Sequence, residues 1–245
     1  MSETGPGFAV EELSLFARLQ LVFYAPRTAF AAVRGRETAL DWLLPALVVC
    51  TVGLGAHQLT LDVMTDLEAP AVQRRLEGMD EAGRQRYEQS AAMLQAHGWM
   101  MIPVGIFTSL VMVGGVLMAM ARSLFGAEVN YRQMLVIKAY AAMVVGVEWV
   151  LRAGLVLMTG DPGVQLGLGA VLSEGTAATL SGRVLVAANP FDLWQIGIMG
   201  VGLGALIEVP TRKTTAAILV MWLFWLVGGV AIEAISRNLV PPLQG

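Results

Sequence analysis

The stretch GWMMIPVGIFTSLVMVGGVLMAMA, residues 98–121, contains no charged residue and is long enough to cross a bilayer. About 20 apolar residues in a helix span the ~30 Å hydrocarbon core of a membrane. The rest of the chain has the same character, since 56% of its 245 residues are hydrophobic and only 14% are charged. Soluble domains usually carry about a quarter charged residues. The sequence therefore predicts an all-α integral membrane protein.

Charged residues divide the chain into five predicted transmembrane helices. The first lies between Asp41 and Asp62, and the last lies between Lys213 and Glu233. The predicted spans cover about residues 42–61, 98–121, 133–158, 191–208 and 214–234. Together they form a predicted membrane domain over residues 39–237.

The remaining segments are predicted to lie at or outside the membrane surface. Residues 1–38 form a cytoplasmic or interfacial segment, with an apolar helix over residues 8–24 and a short helix from Pro26 to about Gly35. Residues 62–97, rich in acids and arginines, predict a solvated helical arm. The loop 159–190 is glycine-rich yet apolar, so a re-entrant or interfacial helix is expected over residues 164–172.

Basic residues beside the spans predict the orientation of the protein. Arg122, Arg132, Arg212 and Lys213 flank the short connections on one side. On the other side, four arginines cluster in the acid-rich arm, away from the ends of the spans. Because short cytoplasmic connections are enriched in Lys and Arg, the N-terminus is expected in the cytoplasm and the C-terminus outside a plasma or inner membrane.

Three ionisable residues, Lys138, Glu148 and Arg152, interrupt the third span within a wedge of about 80°. Lys138 and Arg152 are long enough to snorkel to opposite membrane faces, whereas Glu148 is shorter and deeper. A charge at the bilayer centre costs ~2.5–3.5 kcal/mol, so the wedge is expected to face protein or water, with Glu148 paired to Arg152. Two interpretations remain open. The wedge is a structural pair joined by Glu208 or Tyr140, or it is a polar cavity that binds an ion, a proton or a lipid headgroup.

Small residues in three of the spans recur at spacings that let helices approach closely. Hydrophobic attraction between helices is weak in lipid, so close backbone contact holds them together. The positions predict either packing inside the bundle or an interface with a second copy or another membrane protein. These candidate positions are Gly115, Ala119, Gly200, Gly204, Gly228 and Gly229.

The sequence contains none of the motifs that would indicate catalysis or cofactor binding. It lacks the GxxxxGK[ST] phosphate loop, the HExxH zinc helix and the GxSxG nucleophile elbow. A single cysteine, Cys50, excludes a disulfide within one chain, and no basic stripe indicates nucleic acid. We therefore expect no enzymatic activity, no cofactor, no metal and no nucleic-acid partner.

Three blocks of sequence resemble the Yip (Ypt/Rab-interacting protein) membrane-domain family. They are APRTAFAAVRGRETALDWLLPAL, LFGAEVNYRQMLVIKAYAAM and NPFDLWQIGIMGVGLGALIEVPTRKTTAAILVMW. The resemblance implies an N-cytoplasmic domain of five membrane helices. Eukaryotic members of that family are associated with Rab-type GTPases and vesicle traffic. Because the cytosolic segment here is only about 40 residues, a GTPase partner is not expected, and a bacterial branch is the more natural comparison.

Two functions follow as expectations. The first is a non-enzymatic scaffold or adaptor in membrane organisation or trafficking-like processes, which the resemblance and the small-residue faces favour. The alternative is a small transporter or channel that uses the Lys138, Glu148 and Arg152 wedge. Five spans do not divide into two equal inverted repeats, which counts against a transporter.

Overall fold

The structure is a computed structural model and describes residues 13–35, 37–67, 69–164, 166–167 and 189–239. Side chains of residues 71, 75 and 230–239 lie outside that description. The described part forms eight α-helices and contains no strand. In chain order they are α1 (Leu15–Tyr24), α2 (Pro26–Val33), α3 (Leu40–Thr65), α4 (Pro70–Glu77), α5 (Glu81–Phe125), α6 (Tyr131–Thr159), α7 (Pro190–Ile207) and α8 (Thr211–Leu239).

Four of these helices, α3, α5, α6 and α7, are long and apolar enough to cross a membrane. They confirm the prediction of an all-α, multi-pass membrane protein. Each helix extends one or more residues beyond the predicted span at one end or both, because an ionisable residue near a helix end does not stop the helix. Helix α8 coincides with the fifth predicted span, but its side chains are described only as far as residue 229. The count of five spans therefore stays a prediction.

The predicted extramembrane arm and the second predicted span share a single helix. Helix α5 contains 45 residues, which makes it about 68 Å long. Asp80 caps its first turn by accepting a 2.8 Å hydrogen bond from the Gly83 N–H, and Gly126, at φ 61°, ends it in the left-handed conformation. One hydrogen bond joins α5 to the end of α4, where Arg84 Nε donates to the Leu76 carbonyl at 3.0 Å.

Helices α3, α5 and α6 form the centre of the bundle. Helices α3 and α6 run parallel, since the ring of Trp149 covers Gly53 and the Glu37 carboxylate meets Gln133 at the start of α6. Helix α5 runs antiparallel to both, α7 packs antiparallel on α6, and α8 packs antiparallel on α7. Helices α3, α6 and α8 therefore begin at one end of the bundle, where α5 and α7 end. We call this end the proximal face.

Helices α1 and α2 pack against α6 and α7 rather than standing apart from the bundle. The ring of Phe30 lies 5.5 Å from the ring of Tyr140 and fills the space beside Gly202. A Cβ at Gly202 would lie 2.7 Å from Phe30, so α2 reaches α7 only because this position has no side chain. Phe23 of α1 meets Trp194 of α7 edge to face at 5.9 Å.

Two predicted features fall largely outside the described residues. The loop predicted over residues 159–190 is described only at its ends, where Gly160 caps α6 at φ 64° and Asn189 precedes α7. Most of the re-entrant helix predicted over residues 164–172 lies outside the description, as do residues 1–12 of the predicted N-terminal segment.

Candidate functional site

Lys138 is buried between α6 and α7 and has a partner there. Only 7% of its surface is exposed, and its Nζ donates a 2.7 Å hydrogen bond to Gln195 Oε1. Asp192 also attracts it electrostatically. A buried ammonium without an acceptor would be costly. The expectation that Lys138 snorkels toward the headgroups is therefore wrong, because α7 supplies an acceptor inside the bundle.

Glu148 lies ten residues further along α6 and is half-buried. Its carboxylate accepts a short hydrogen bond from the side-chain amide of Asn189. Asn189 is also the N-cap of α7, because its Oδ1 accepts from the Phe191 N–H at 3.0 Å. One amide thus fixes the start of α7 with its oxygen and holds the α6 carboxylate with its nitrogen.

The residues that meet α6 recur every third position along α7. Asn189, Asp192 and Gln195 therefore fall on one side of that helix. Helix α6, which carries Lys138 and Glu148, begins with a capping box between Asn130 and Gln133. Lys138 meets Gln195 at one end of this row and Glu148 meets Asn189 at the other, with Asp192 between Asn189 and Gln195 along α7. We call these five residues the polar seam.

Arg152 and Glu208, the other two predicted members of the polar site, lie apart from the seam. Arg152 is exposed. It attracts Glu148 electrostatically, but no ion pair within 4 Å joins them. Glu208 follows α7 at the proximal face, about 20 Å along the helix axis from Gln195, and pairs with Arg34 at 2.6 Å. The structure thus replaces the predicted Glu148–Arg152 pair by a bond from Glu148 to α7.

A second buried polar group fastens α1 to the bundle. Asp41, in the first turn of α3, is only 2% exposed. Its Oδ1 pairs with Arg18 of α1 at 2.6 Å, and its Oδ2 accepts 2.8 Å hydrogen bonds from the backbone N–H and hydroxyl of Thr38. Tyr140 of α6 lies within electrostatic reach of Arg18 and Asp41, and its buried hydroxyl has no hydrogen-bond partner among the described residues.

Residues 21–233 match the Yip1 domain, from the middle of α1 to the last third of α8. The chain belongs to the Yip1 domain family. This confirms the resemblance drawn from the three sequence blocks. No curated protein and no solved structure matches the chain.

The glycines of α7 are used for packing inside the Yip1 domain. A Cβ at Gly200 would collide with Thr215, and one at Gly204 would lie 2.9 Å from the Val209 carbonyl oxygen. The fully buried Thr214 donates its hydroxyl to the Gly200 carbonyl at 2.7 Å. Close approach of the α7 and α8 backbones therefore depends on Gly200 and Gly204.

The other four predicted small residues of the Yip1 domain lie toward its outer surface. Space is open beside Gly115, Gly228 and Gly229, with no described atom within 4 Å of a Cβ built there. Ala119, one turn after Gly115, is exposed. The predicted small residues thus fall into two groups. Gly200 and Gly204 pack inside the bundle, and the other four lie at its outer surface.

The seam of the Yip1 domain contains an ammonium, two carboxylates and two amides. These groups offer hydrogen bonding and charge. Among the described residues, no group of three or more His, Cys, Asp or Glu side chains could hold a metal ion.

Sequence reasoning missed Asn189, Asp192 and Gln195 as partners of the third span. Their spacing of three residues along α7 was an available signal. It shows that these polar groups share a side of the helix, although it does not show which residue of α6 each of them meets.

Proposed function

We propose that this Yip1-domain protein is a non-enzymatic membrane scaffold or adaptor. The observation that carries the proposal is the pairing inside the polar seam. Lys138 bonds to Gln195, and Glu148 bonds to Asn189. Polar groups that satisfy one another fasten two membrane helices together, whereas a transport pathway needs such groups free to exchange partners. Membership of the Yip1 domain family is consistent with this role.

The outer face of α5 is the proposed contact for a second copy or another membrane protein. Gly115 and Ala119 lie on this face, one turn apart, with open space beside Gly115. Val116, beside them, is 41% exposed. Small residues at this spacing let a second helix approach closely, which is the attraction available between helices in lipid.

A photoreactive amino acid at Val116 tests this contact in native membranes. We expect a discrete protein adduct at residue 116 that disappears when Gly115→Leu is added, because the leucine would hold the partner helix away. The same probe at Leu151, a lipid-exposed position of α6, is the matched control. Adducts to lipid alone at residue 116, or a protein adduct that Gly115→Leu leaves unchanged, would contradict the proposal.

We also propose five spans, with the proximal face and the N-terminus in the cytoplasm and the C-terminus outside a plasma or inner membrane. The basic residues flanking the short connections support this orientation. In a background without Cys50, single cysteines are placed in the arm (residues 62–97) and beside Lys213. They should react with a membrane-impermeant reagent added on opposite sides of the membrane. Reaction from the same side would overturn the orientation.

Transport of an ion, a proton or a lipid headgroup is the second candidate. The observation that favours it is the second carboxylate, Asp192, which lies near both Glu148 and Lys138. Three ionisable groups in one row of a membrane protein are a common feature of ion and proton pathways. Purified protein in liposomes should then carry a proton or cation flux that Glu148→Gln abolishes. The scaffold proposal predicts no flux above that of empty liposomes.

A further inference from the structure

A groove of about 940 Å³ opens at the proximal face, between α2 and the turn that joins α7 to α8. It is lined by Arg27 of α2, by Arg34, which directly follows α2, and by Arg212 in the first turn of α8. Gly204 and Ala205 of α7 also line it. Gly204 is the groove residue of α7 nearest to the polar seam, about 14 Å along the helix axis from Gln195, and the groove shares no residue with the seam.

The three arginines face the same space for reasons set by their helices. Arg27 and Ala31 are four residues apart on one face of α2, and Arg34, the C-cap of α2, follows three residues later on the same side. That face is held toward α7 by Phe30, which fills the space beside Gly202. Arg212 reaches the groove because α8 begins at Thr211, directly after the turn through Pro210.

One carboxylate already occupies part of this cationic surface. Glu208 pairs with Arg34 at 2.6 Å, although the two side chains are 73% and 47% exposed. Glu208 is the one described non-glycine residue with a positive φ, 57°. A glycine would adopt that conformation without strain, so the glutamate is held there at a cost while its side chain contacts the groove. With three arginines and one glutamate, the groove keeps an excess of positive charge.

We infer that this groove binds the phosphate of an anionic phospholipid. A guanidinium binds phosphate oxygens through two parallel N–H groups, which makes arginine the preferred residue for this ligand. Basic groups between membrane helices at a membrane face attract anionic headgroups. The small and apolar residues Ala31, Ala205 and Val209 of the same groove provide a surface for the glycerol and the first acyl carbons. Glu208 competes with the phosphate for Arg34.

Titration of the detergent-solubilised full chain with short-chain phosphatidylglycerol tests the inference, with bound lipid measured by native mass spectrometry. We expect phosphatidylglycerol to bind more tightly than phosphatidylcholine. The double variant Arg27→Gln/Arg212→Gln should bind phosphatidylglycerol about 25-fold more weakly, at about fivefold for each arginine removed. Both arginines are exposed and neither has an ion-pair partner within 4 Å among the described residues, so this variant should keep its fold.

A variant that is expected to bind the lipid more tightly distinguishes a specific effect on binding from damage to the fold. Glu208→Gln removes the competing carboxylate, so phosphatidylglycerol should bind about fivefold more tightly. The matched control is Arg74→Gln/Arg86→Gln, which removes the same charge from the exposed arm and should leave binding unchanged.

Three results would overturn the inference. Equal binding of the two lipids by the wild-type chain would exclude a site for the anionic headgroup. An equal loss in the arm control would show that binding follows net charge. Displacement of the lipid by inorganic phosphate at the same concentration would assign the groove to a soluble phosphate compound instead.

Discussion

The hydrogen bond between Lys138 and Gln195 gives a sharp test of the polar seam. Gln195→Leu would leave a buried ammonium, 7% exposed, without its acceptor. A hydrogen bond to a charged group contributes about 1.5–3 kcal/mol, so we expect a loss of about 2.5 kcal/mol in the free energy of unfolding. Lys138→Met removes the charge itself and leaves a neutral amide, so its cost should be about 1 kcal/mol.

The double variant Lys138→Met/Gln195→Leu should cost less than the two single changes together. Removal of both partners leaves neither a buried ammonium without an acceptor nor an unpaired amide. We expect a loss of about 2 kcal/mol, and hence a coupling energy of about 1.5 kcal/mol. Measured couplings in a membrane protein average about 0.6 and reach about 1.7 kcal/mol, because helices that have separated within the membrane still find other partners. The expected value lies near that upper limit because Lys138 is so deeply buried.

The assay is reversible unfolding in mixed micelles with increasing dodecyl sulfate, followed by circular dichroism. The comparison cycle uses Glu148→Gln and Arg152→Gln, two residues that attract each other without a close ion pair. Since Arg152 is exposed, their coupling should stay below about 0.5 kcal/mol. A Lys138–Gln195 coupling no larger than this would refute the paired seam, and with it the observation on which the scaffold proposal depends.

Three further changes test other contacts of the bundle, each by its effect on the same unfolding measurement. Asn189→Asp keeps the oxygen that caps α7 but places a second carboxylate against Glu148. It should therefore lower the free energy of unfolding by about 2 kcal/mol, and adding Glu148→Gln should restore most of this loss. Gly204→Leu should lower the free energy of unfolding by about 3 kcal/mol, because backbone atoms of the α7–α8 turn occupy the space that the leucine would need. Gly115→Leu, the control, has open space beside it and should change stability by less than about 0.5 kcal/mol. Tyr140→Phe removes a buried hydroxyl that has no hydrogen-bond partner among the described residues, so it should raise the free energy of unfolding by about 1 kcal/mol. A decrease of similar size would mean that an ordered water binds the hydroxyl.

The sequence alone determined the class of protein and the positions of its membrane helices. Hydropathy and charge are properties of each stretch of chain, and a helix in lipid must satisfy its own backbone, so a long apolar run has one stable conformation. For this reason α3, α6 and α7 lie within a few residues of their predicted limits. The same local rules predicted the short α2 helix that begins at Pro26.

Only the tertiary structure decided which polar groups meet. Gln195 lies 57 residues from Lys138, and Asn189 lies 41 residues from Glu148. Their contacts depend on how far each helix is rotated about its axis and displaced along it, and no residue sets these two quantities locally. They follow from the packing of the whole bundle, including the missing side chain at Gly202 that admits Phe30. The sequence therefore shows that Lys138, Glu148 and Arg152 share one helix, while the packing of α7 gave Glu148 a partner other than Arg152.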